Sequence, residues 1–128
     1  MSTLLSFKRL NAWCTRVIDG DTVELDVYFP VRKKVRLVET VVVRILGIDS
    51  AEIRDKDPEK RAKAKAAKEF LRVVIEHCDC QVELVNPDKY GGRWDGKVYQ
   101  GSASLADVMI QVGHAVPYSG GKRDAGTS

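Results

Sequence analysis

The sequence predicts a small α+β protein, mainly β, and three observations lead to this fold class. The chain has 128 residues, of which 44% are hydrophobic, enough to bury one core but too few to build two. Long runs alternate apolar and polar residues, as strands with one buried face do. Two other segments repeat apolar residues at the spacing of a helix. We therefore expect one domain over residues 1–118 and a flexible polar tail over 119–128.

Five segments have the composition and alternation of strands. They are residues 12–18, 22–29, 35–48, 80–85 and 97–100. The third is rich in Val, Leu and Ile, and at ~3.3 Å per residue it would be unusually long for one straight strand. We expect a bend or bulge near Glu39 and Thr40, and burial on both faces where this strand curls around a barrel.

Two helices are predicted. The first has Asp57 as its N-cap, with proline at the first helical position, and it fades near Glu76. The second begins at Ser102 or Ser104 and ends at Val112, before a glycine suited to the C′ position. Three strands, a helix, two strands and a helix fit a five-stranded barrel of the oligonucleotide/oligosaccharide-binding (OB) type with two packed helices.

The overall charge says little about partners. A net charge of +3 and an isoelectric point near 8.8 permit a polyanionic partner without requiring one. The lysines of the first predicted helix lie mostly off its apolar stripe, which favours a solvated face over a nucleic-acid contact.

The N-terminal residues lack the apolar segment of a secretory signal, and no run approaches the ~20 apolar residues that span a bilayer. We therefore expect a cytoplasmic protein. The chain has three cysteines, an odd number that favours free thiols. Although His77, Cys78 and Cys80 are close in sequence, they lack the spacing of a zinc site.

Residues 18–22, Ile-Asp-Gly-Asp-Thr, lie between the first two predicted strands and are typical of a tight turn. We expect Gly20 to supply the positive φ that such a turn needs. A tight turn needs only one aspartate, and this segment has two, so the turn does not explain Asp21. It shares the parity of the apolar residues that follow, so it is predicted to face inward at the mouth of the barrel.

Residues 43–52, Val-Arg-Ile-Leu-Gly-Ile-Asp-Ser-Ala-Glu, combine charge with a buried strand. Arg44 lies within the apolar run, where a charge is costly unless it is paired. This arginine either pairs with a structural carboxylate or binds an anion. Asp49 and Glu52 follow at the end of the strand, where Asp49 or Ser50 could simply cap a turn.

Residues 88–93, Asp-Lys-Tyr-Gly-Gly-Arg, form a predicted loop. Arg93 is either a routine exposed side chain or a second arginine that reaches over a site. Together with the two earlier segments, it suggests a site that hydrolyses phosphodiesters. Arg44 and Arg93 would bind phosphate oxygens, and Glu52 would hold or activate a water molecule.

The same interpretation assigns a cation to the remaining groups. Asp21 and Asp49 offer hard oxygen ligands for Ca²⁺, with the carbonyl of Ser50 and water molecules completing the shell.

In their order along the chain, these three segments resemble the staphylococcal nuclease (thermonuclease) family over roughly residues 14–118. The resemblance implies a five-stranded barrel with packed helices. It also implies Ca²⁺-dependent cleavage of single-stranded DNA and RNA, leaving 3′-phosphate and 5′-hydroxyl ends.

The resemblance also assigns roles to individual residues. Glu52 matches the catalytic glutamate that orients, or deprotonates, the attacking water. Arg44 matches the arginine on the phosphate, and Arg93 matches the loop arginine that stabilises the transition state. Tyr90 matches a tyrosine near the nucleotide. The metal ligands of the family coincide with the two aspartates and the serine carbonyl already inferred, with serine in place of the family's threonine.

Four departures from the family pattern stand out. Ala51 replaces a proline beside the catalytic glutamate, and Gly92 is an additional glycine before the loop arginine. The segment between Asp21 and Arg44 is longer than in the founding member. After residue 118 there is no room for the third, C-terminal helix of that member, so the third helix is expected to be absent.

Two other functions fit the same residues. The chain could be a non-catalytic OB-fold module that binds nucleic acid or protein. It could also be a structural domain whose carboxylates only pair with Arg44.

Overall fold

The structure is a computed structural model that describes residues 9–50, 56–87 and 92–118. This part of the chain contains eight strands and two helices. The strands are β1 Leu10–Asp19, β2 Thr22–Arg32, β3 Val35–Ile45, β4 Ile48–Asp49, β5 Asp79–Pro87, β6 Arg93–Gln100, β7 Ala103–Ser104 and β8 Val116–Pro117, and the helices are α1 Pro58–Ile75 and α2 Leu105–Gln111.

Five long strands close into a barrel. Their order around the ring is β3-β2-β1-β5-β6, and all neighbours are antiparallel except β3 and β6. The parallel pairing of β3 residues 42–45 with β6 residues 93–96 closes the ring. The predicted fold class, a mainly β α+β barrel of OB-like form with two packed helices, is confirmed. The predicted tail over 119–128 lies outside the described residues.

The barrel interior is filled by alternate residues of its strands. Val23, Leu25 and Val27 of β2 are fully buried, as their alternation with polar residues predicts. The helices add Leu71 and Met109, both fully buried, to the same core. No helix in the described ranges has the length and hydropathy to cross a bilayer.

The third strand is shorter than the sequence predicts. It ends at Ile45, and residues 46–47 turn the chain into the separate strand β4. Gly47 has φ +92°, a conformation that favours glycine and allows this turn. The bulge expected near Glu39 and Thr40 is wrong, because the pairing of β3 with β2 continues without a shift through both residues.

The prediction that both faces of this strand are buried is also wrong for the first half of β3, where residues 35–40 are all exposed. The reason is where the neighbouring strands stop. Within the described residues, β6 pairs with β3 only from Val42 onward, and β1 pairs with β2 only as far as Val27. Residues 28–40, which we call the arm, therefore extend beyond the barrel as a two-stranded hairpin.

Helix α1 is anchored at both ends. At its N-terminus, the Asp57 side chain accepts a hydrogen bond of 3.0 Å from the backbone N–H of Glu59, as an N-cap does. At its C-terminus, Glu76 accepts hydrogen bonds from the backbone N–H of Val17 at 3.0 Å and from Arg72 at 3.1 Å. Glu76 therefore ties the end of α1 to strand β1.

The turn between β1 and β2 depends on a glycine for a reason that the sequence does not reveal. Gly20 is not among the described residues with positive φ, so the predicted role of its backbone is wrong. A Cβ atom at this position would instead lie 2.8 Å from the Cβ of Ala67 in α1 and 3.0 Å from Oγ of Ser50. Glycine allows the turn, the helix and the end of β4 to meet.

Replacing Gly20 by alanine should lower the free energy of unfolding by about 1–3 kcal/mol, because the added methyl overpacks this junction. Urea unfolding measures the loss. In a double-mutant cycle with Ala67→Gly, the loss should be smaller when residue 67 is glycine. Equal losses in both backgrounds would contradict the close contact.

The anchoring of Glu76 predicts a pH dependence. The N–H of Val17, and then the guanidinium of Arg72, hold the pKa of Glu76 below its ordinary value. A carboxylate with a lowered folded pKa stabilises the fold above its unfolded pKa, and this contribution is lost as pH falls through the folded pKa. Glu76→Gln should therefore be less stable at neutral pH and should lose less stability between about pH 5 and pH 3 than the parent chain does. Parallel pH profiles of the two unfolding free energies would contradict this role.

Candidate active site

Three segments meet at one end of the barrel. They are the β1–β2 turn with Asp21, the end of β3 with Arg44, and strand β4 with Asp49. The turn is fixed against β3, because the N–H of Ile45 donates a 2.8 Å hydrogen bond to the carbonyl of Asp21 and Thr22 pairs with Arg44. Backbone contacts therefore join the β1–β2 turn, which carries Asp21, to the end of β3, which carries Arg44.

Strand β4 is held in place by the C-terminal strand β8. Asp49 pairs with Val116 in an antiparallel ladder, and the N–H of Tyr118 donates a 2.9 Å hydrogen bond to the carbonyl of Gly47. Asp49 thus lies on a short strand that is clamped on one edge, rather than on a free loop.

One guanidinium group lies beside both carboxylates. Nη2 of Arg44 is 3.4 Å from Oδ1 of Asp49 and 3.8 Å from Oδ2 of Asp21. The aspartate side chains are only 10% and 12% exposed, whereas the Arg44 side chain is 38% exposed. Burying two carboxylates near each other is costly unless a cation faces both. The structure therefore brings together two acids and one arginine that the sequence separates by up to 28 positions.

Thr22 orients one of these carboxylates. Its hydroxyl donates a 2.9 Å hydrogen bond to Oδ1 of Asp21, and the residue is buried. The other oxygen, Oδ2, is the one nearest Arg44. The sequence analysis did not identify Thr22 as a site residue. The available signal was a hydroxyl side chain directly after the second aspartate of the turn.

Ser50 lies next to this cluster. It is buried at the end of β4, directly after Asp49 and against the Gly20 backbone of the turn. It therefore lies next to both acidic segments of the cluster. Its assigned role as a ligand stays a prediction.

Tyr118 forms an aromatic wall beside the arginine. The Cζ atom of Arg44 lies 5.7 Å from the centre of the Tyr118 ring, a distance at which a cation and a ring attract. Sequence reasoning missed Tyr118, because its approach to Arg44 depends on the pairing of β8 with β4. An aromatic residue just after that strand was the only signal.

Arg93 lies on the strand beside Arg44. It begins β6 and pairs with Val42, so it is offset from Arg44 by two residues, about 7 Å along the strand. Val42 and Arg44 alternate with buried residues of β3, and Arg93 is itself exposed, so the two arginines are on the outer face of the sheet. The additional glycine does not break this register, because the carbonyl of Gly92 accepts a 3.4 Å hydrogen bond from Val42.

Three predicted positions cannot be placed. Ala51, Glu52 and Tyr90 lie outside the described residues. The catalytic role of Glu52 and the nucleotide contact of Tyr90 stay predictions.

The donor chemistry of the cluster fits a hard cation. Two buried carboxylates with a neighbouring backbone carbonyl are ligands that Ca²⁺ prefers, and water molecules commonly complete its shell. The residues described by the structure contain no group of three or more His, Cys, Asp and Glu side chains placed for a metal. A cation at this site would therefore depend on carbonyl and water ligands as well as on Asp21 and Asp49.

The fold and the cluster define a class of protein: an OB-like barrel with a carboxylate–guanidinium site at one end. The family model described as staphylococcal nuclease homologue matches residues 42–127, about two thirds of the chain. The chain belongs to this family. A comparison with curated proteins found no match.

The family match covers part of the site. It includes Arg44, Asp49 and Arg93, and it begins after Asp21. Asp21 is joined to the matched region by its contacts in the structure, namely the 2.8 Å backbone bond to Ile45 and the approach of its carboxylate to Arg44.

Replacing Arg44 by methionine should reduce the free energy of unfolding at neutral pH by about 1–3 kcal/mol. Two buried carboxylates then lose their shared cation, and the partial exposure of Arg44 limits the cost. Arg16→Met is a matched control, because Arg16 is 59% exposed and its 3.5 Å ion pair with Glu24 is at the surface. This control should cost less than about 1 kcal/mol. Equal losses in urea unfolding would show that the Arg44 cluster is not a special electrostatic centre.

Proposed function

We propose that the chain is a Ca²⁺-dependent nuclease that hydrolyses phosphodiester bonds of single-stranded DNA and RNA. The products would carry 3′-phosphate and 5′-hydroxyl ends. The observation that carries this proposal is the convergence of Asp21 and Asp49 on one side of Arg44, in a barrel of the staphylococcal nuclease family. Membership of the family supports a nuclease-type fold, and the geometry of the cluster supports the chemistry.

Asp21 and Asp49, with the carbonyl of Ser50, would hold the cation. Bound there, Ca²⁺ would supply a Lewis acid that offsets negative charge on a phosphoryl oxygen. The hydroxyl of Thr22 orients the carboxylate of Asp21, and the pairing of β4 with β8 holds the backbone of Asp49 in place. Both acids are therefore preorganised, so little of the binding energy is needed to arrange them.

Arg44 would bind the phosphate. Its guanidinium has five N–H donors, and the described contacts with the two aspartates both use Nη2. The side chain is 38% exposed, so part of the planar group faces solvent. Planar guanidiniums bind two phosphate oxygens at once, which makes the arginine suited to holding the substrate beside the carboxylates.

The family resemblance supplies the remaining groups. Glu52 would accept a proton from the attacking water while the new bond forms between the water oxygen and phosphorus. The bond between phosphorus and the 5′-oxygen breaks, and that oxygen takes a proton from solvent. Arg93 would stabilise the charge that develops on the phosphate, and Tyr90 would contact the nucleotide.

The aromatic wall supports a preference for single strands. Tyr118 lies beside Arg44, the proposed phosphate ligand, and is partly exposed, so a nucleotide bound at Arg44 would lie near the ring. Stacking on an aromatic ring needs an unpaired base that can leave its neighbours, which single strands offer and duplexes resist.

One observation favours a second candidate, a non-catalytic barrel that binds nucleic acid. The guanidinium of Arg44 already faces both carboxylates, which is the arrangement expected if those acids only neutralise an arginine. Salt-sensitive binding of polynucleotides without turnover would support this candidate over the nuclease.

The test is a digest of denatured DNA and of RNA with Ca²⁺ or with a chelator. Cleavage should require Ca²⁺, and Glu52→Ala and Asp49→Asn should each reduce the rate about 10²–10³-fold, the typical cost of losing one catalytic contact. Asp26→Asn is a matched control, because the carboxylate of Asp26 accepts a hydrogen bond from the hydroxyl of Thr40, outside the site. The control should cleave at the parental rate.

The ends of the products provide a second measurement. A 5′-hydroxyl accepts phosphate from a polynucleotide kinase without prior dephosphorylation, whereas a 5′-phosphate does not. Cleavage that persists in chelator, or that survives unchanged in Glu52→Ala, would overturn the proposed mechanism.

A further inference from the structure

The arm, residues 28–40, concentrates positive charge at its tip. Arg32, Lys33, Lys34 and Arg36 are all exposed, and no acid occurs between residues 27 and 38. Among the ion pairs of the described residues, none involves these four side chains. A net charge of only +3 for the whole chain makes this local density unusual. The tip is therefore an uncompensated cationic surface.

Exposed apolar side chains alternate with these cations. Val31, Val35, Leu37 and Val38 are 60%, 46%, 57% and 53% exposed. Successive residues of a strand face opposite sides, so Val35 and Leu37 lie on one face of the arm and Arg36 and Val38 on the other. Apolar side chains exposed on both faces beside cations are typical of a surface that a ligand covers. A two-stranded hairpin that projects from a sheet is also only marginally stable by itself. A ligand that covers the arm would stabilise it.

The arm is continuous with the candidate active site. Strand β3 passes from Val35 at the tip to Arg44 at the site, a distance of about 30 Å at the rise of a strand. Its pairing with β2 is regular from Arg36 to Arg44, so the two places are joined by one unbroken ladder. Arg36 also stacks on Tyr28 across this ladder, with 4.5 Å between its Cζ atom and the ring centre.

We propose that the arm binds the sugar–phosphate backbone of a single-stranded polynucleotide, well beyond the bond that is cleaved. Four arginines and lysines complement a chain of phosphates, and the apolar and aromatic side chains between them suit sugars and unpaired bases. A second copy of this chain fits less well, because two arms placed together would oppose their cations. This inference rests on the proposed function and specifies the length of its substrate.

The consequence is a dependence on substrate length. A strand bound at Arg44 must extend about 30 Å to reach the tip, which is about nine phosphates at the 3.4 Å spacing of one strand in B-DNA. An extended single strand has wider spacing and reaches the tip with fewer. Short oligonucleotides occupy the active site alone, whereas long ones also contact the arm.

The test measures binding without turnover. Fluorescence anisotropy in chelator gives the affinity for oligothymidylates of about 4 and about 24 nucleotides over a range of salt concentrations. The arm variant is Arg32→Gln, Lys33→Gln, Lys34→Asn and Arg36→Gln, with asparagine at residue 34 because its φ is +64°. The matched control replaces Lys56, Lys60, Lys63 and Lys65, four exposed lysines in and before α1, by glutamine.

The arm variant should bind the long oligonucleotide at least about tenfold more weakly and the short one unchanged. A plot of log affinity against log salt concentration has a negative slope, and its magnitude should decrease by about 3 in the arm variant. Each of the four lost phosphate contacts in a single strand contributes about 0.7 to that magnitude. The control carries the same change in net charge and should retain most of the parental slope. An unchanged slope in the arm variant, or an equal fall in both variants, would overturn the inference.

Two further measurements interpret the result. Thermal unfolding checks that the arm variant is folded. If it is not, the double variant Lys33→Gln with Lys34→Asn, which changes only the turn, replaces it and should decrease the magnitude of the slope by about 1.4. Sedimentation identifies a dimer, and a dimer that the arm variant abolishes without any change in the salt slope would assign the arm to self-association instead.

Failure of this inference is distinguishable from failure of the proposed function. If the chain cleaves with Ca²⁺ but the arm variant keeps the parental slope, the nuclease proposal stands and the arm is not its substrate contact. If no polynucleotide is cleaved but the slope falls, the arm binds nucleic acid in a protein that is not a nuclease.

Discussion

The approach of two buried carboxylates to one arginine is the interaction on which the site depends. Asp21 and Asp49 are about nine-tenths buried, and without Arg44 each would repel the other in a medium that screens charge poorly. The arrangement explains why an arginine interrupts an otherwise apolar strand. In the proposed nuclease, a cation would bind the two carboxylates, and the guanidinium of Arg44 would bind the phosphate.

Backbone contacts, rather than the charged side chains, decide where these groups lie. The parallel pairing of β3 with β6 closes the barrel and brings Arg93 to the strand beside Arg44. Strand β8 fixes β4, and the absence of a side chain at Gly20 lets α1 approach the turn. The acids are thus held by the fold before any ligand arrives, and such preorganisation is what electrostatic catalysis requires.

Local periodicity was enough to predict the five barrel strands and both helices, and the chemistry of the short motifs singled out Asp21, Arg44 and Asp49, which the structure brings together. What it could not supply depends on distant neighbours. The exposure of the arm follows from where the pairing of β1 with β2 and of β6 with β3 stops. Glycine is required at position 20 because the methyl group of Ala67 leaves no room for a side chain there. The contacts of Thr22 and Tyr118 likewise require the turn and β8 to be in place.

The central claim is that Asp21 and Asp49 share one cation. Titration calorimetry with Ca²⁺ in the presence of thymidine monophosphate tests it most directly, on the parent chain and on Asp21→Asn and Asp49→Asn. The account predicts one Ca²⁺ per parent chain and an affinity at least about tenfold lower in each variant, because either change removes a charged ligand. Absence of Ca²⁺ binding by the parent, or full binding by either variant, would contradict it.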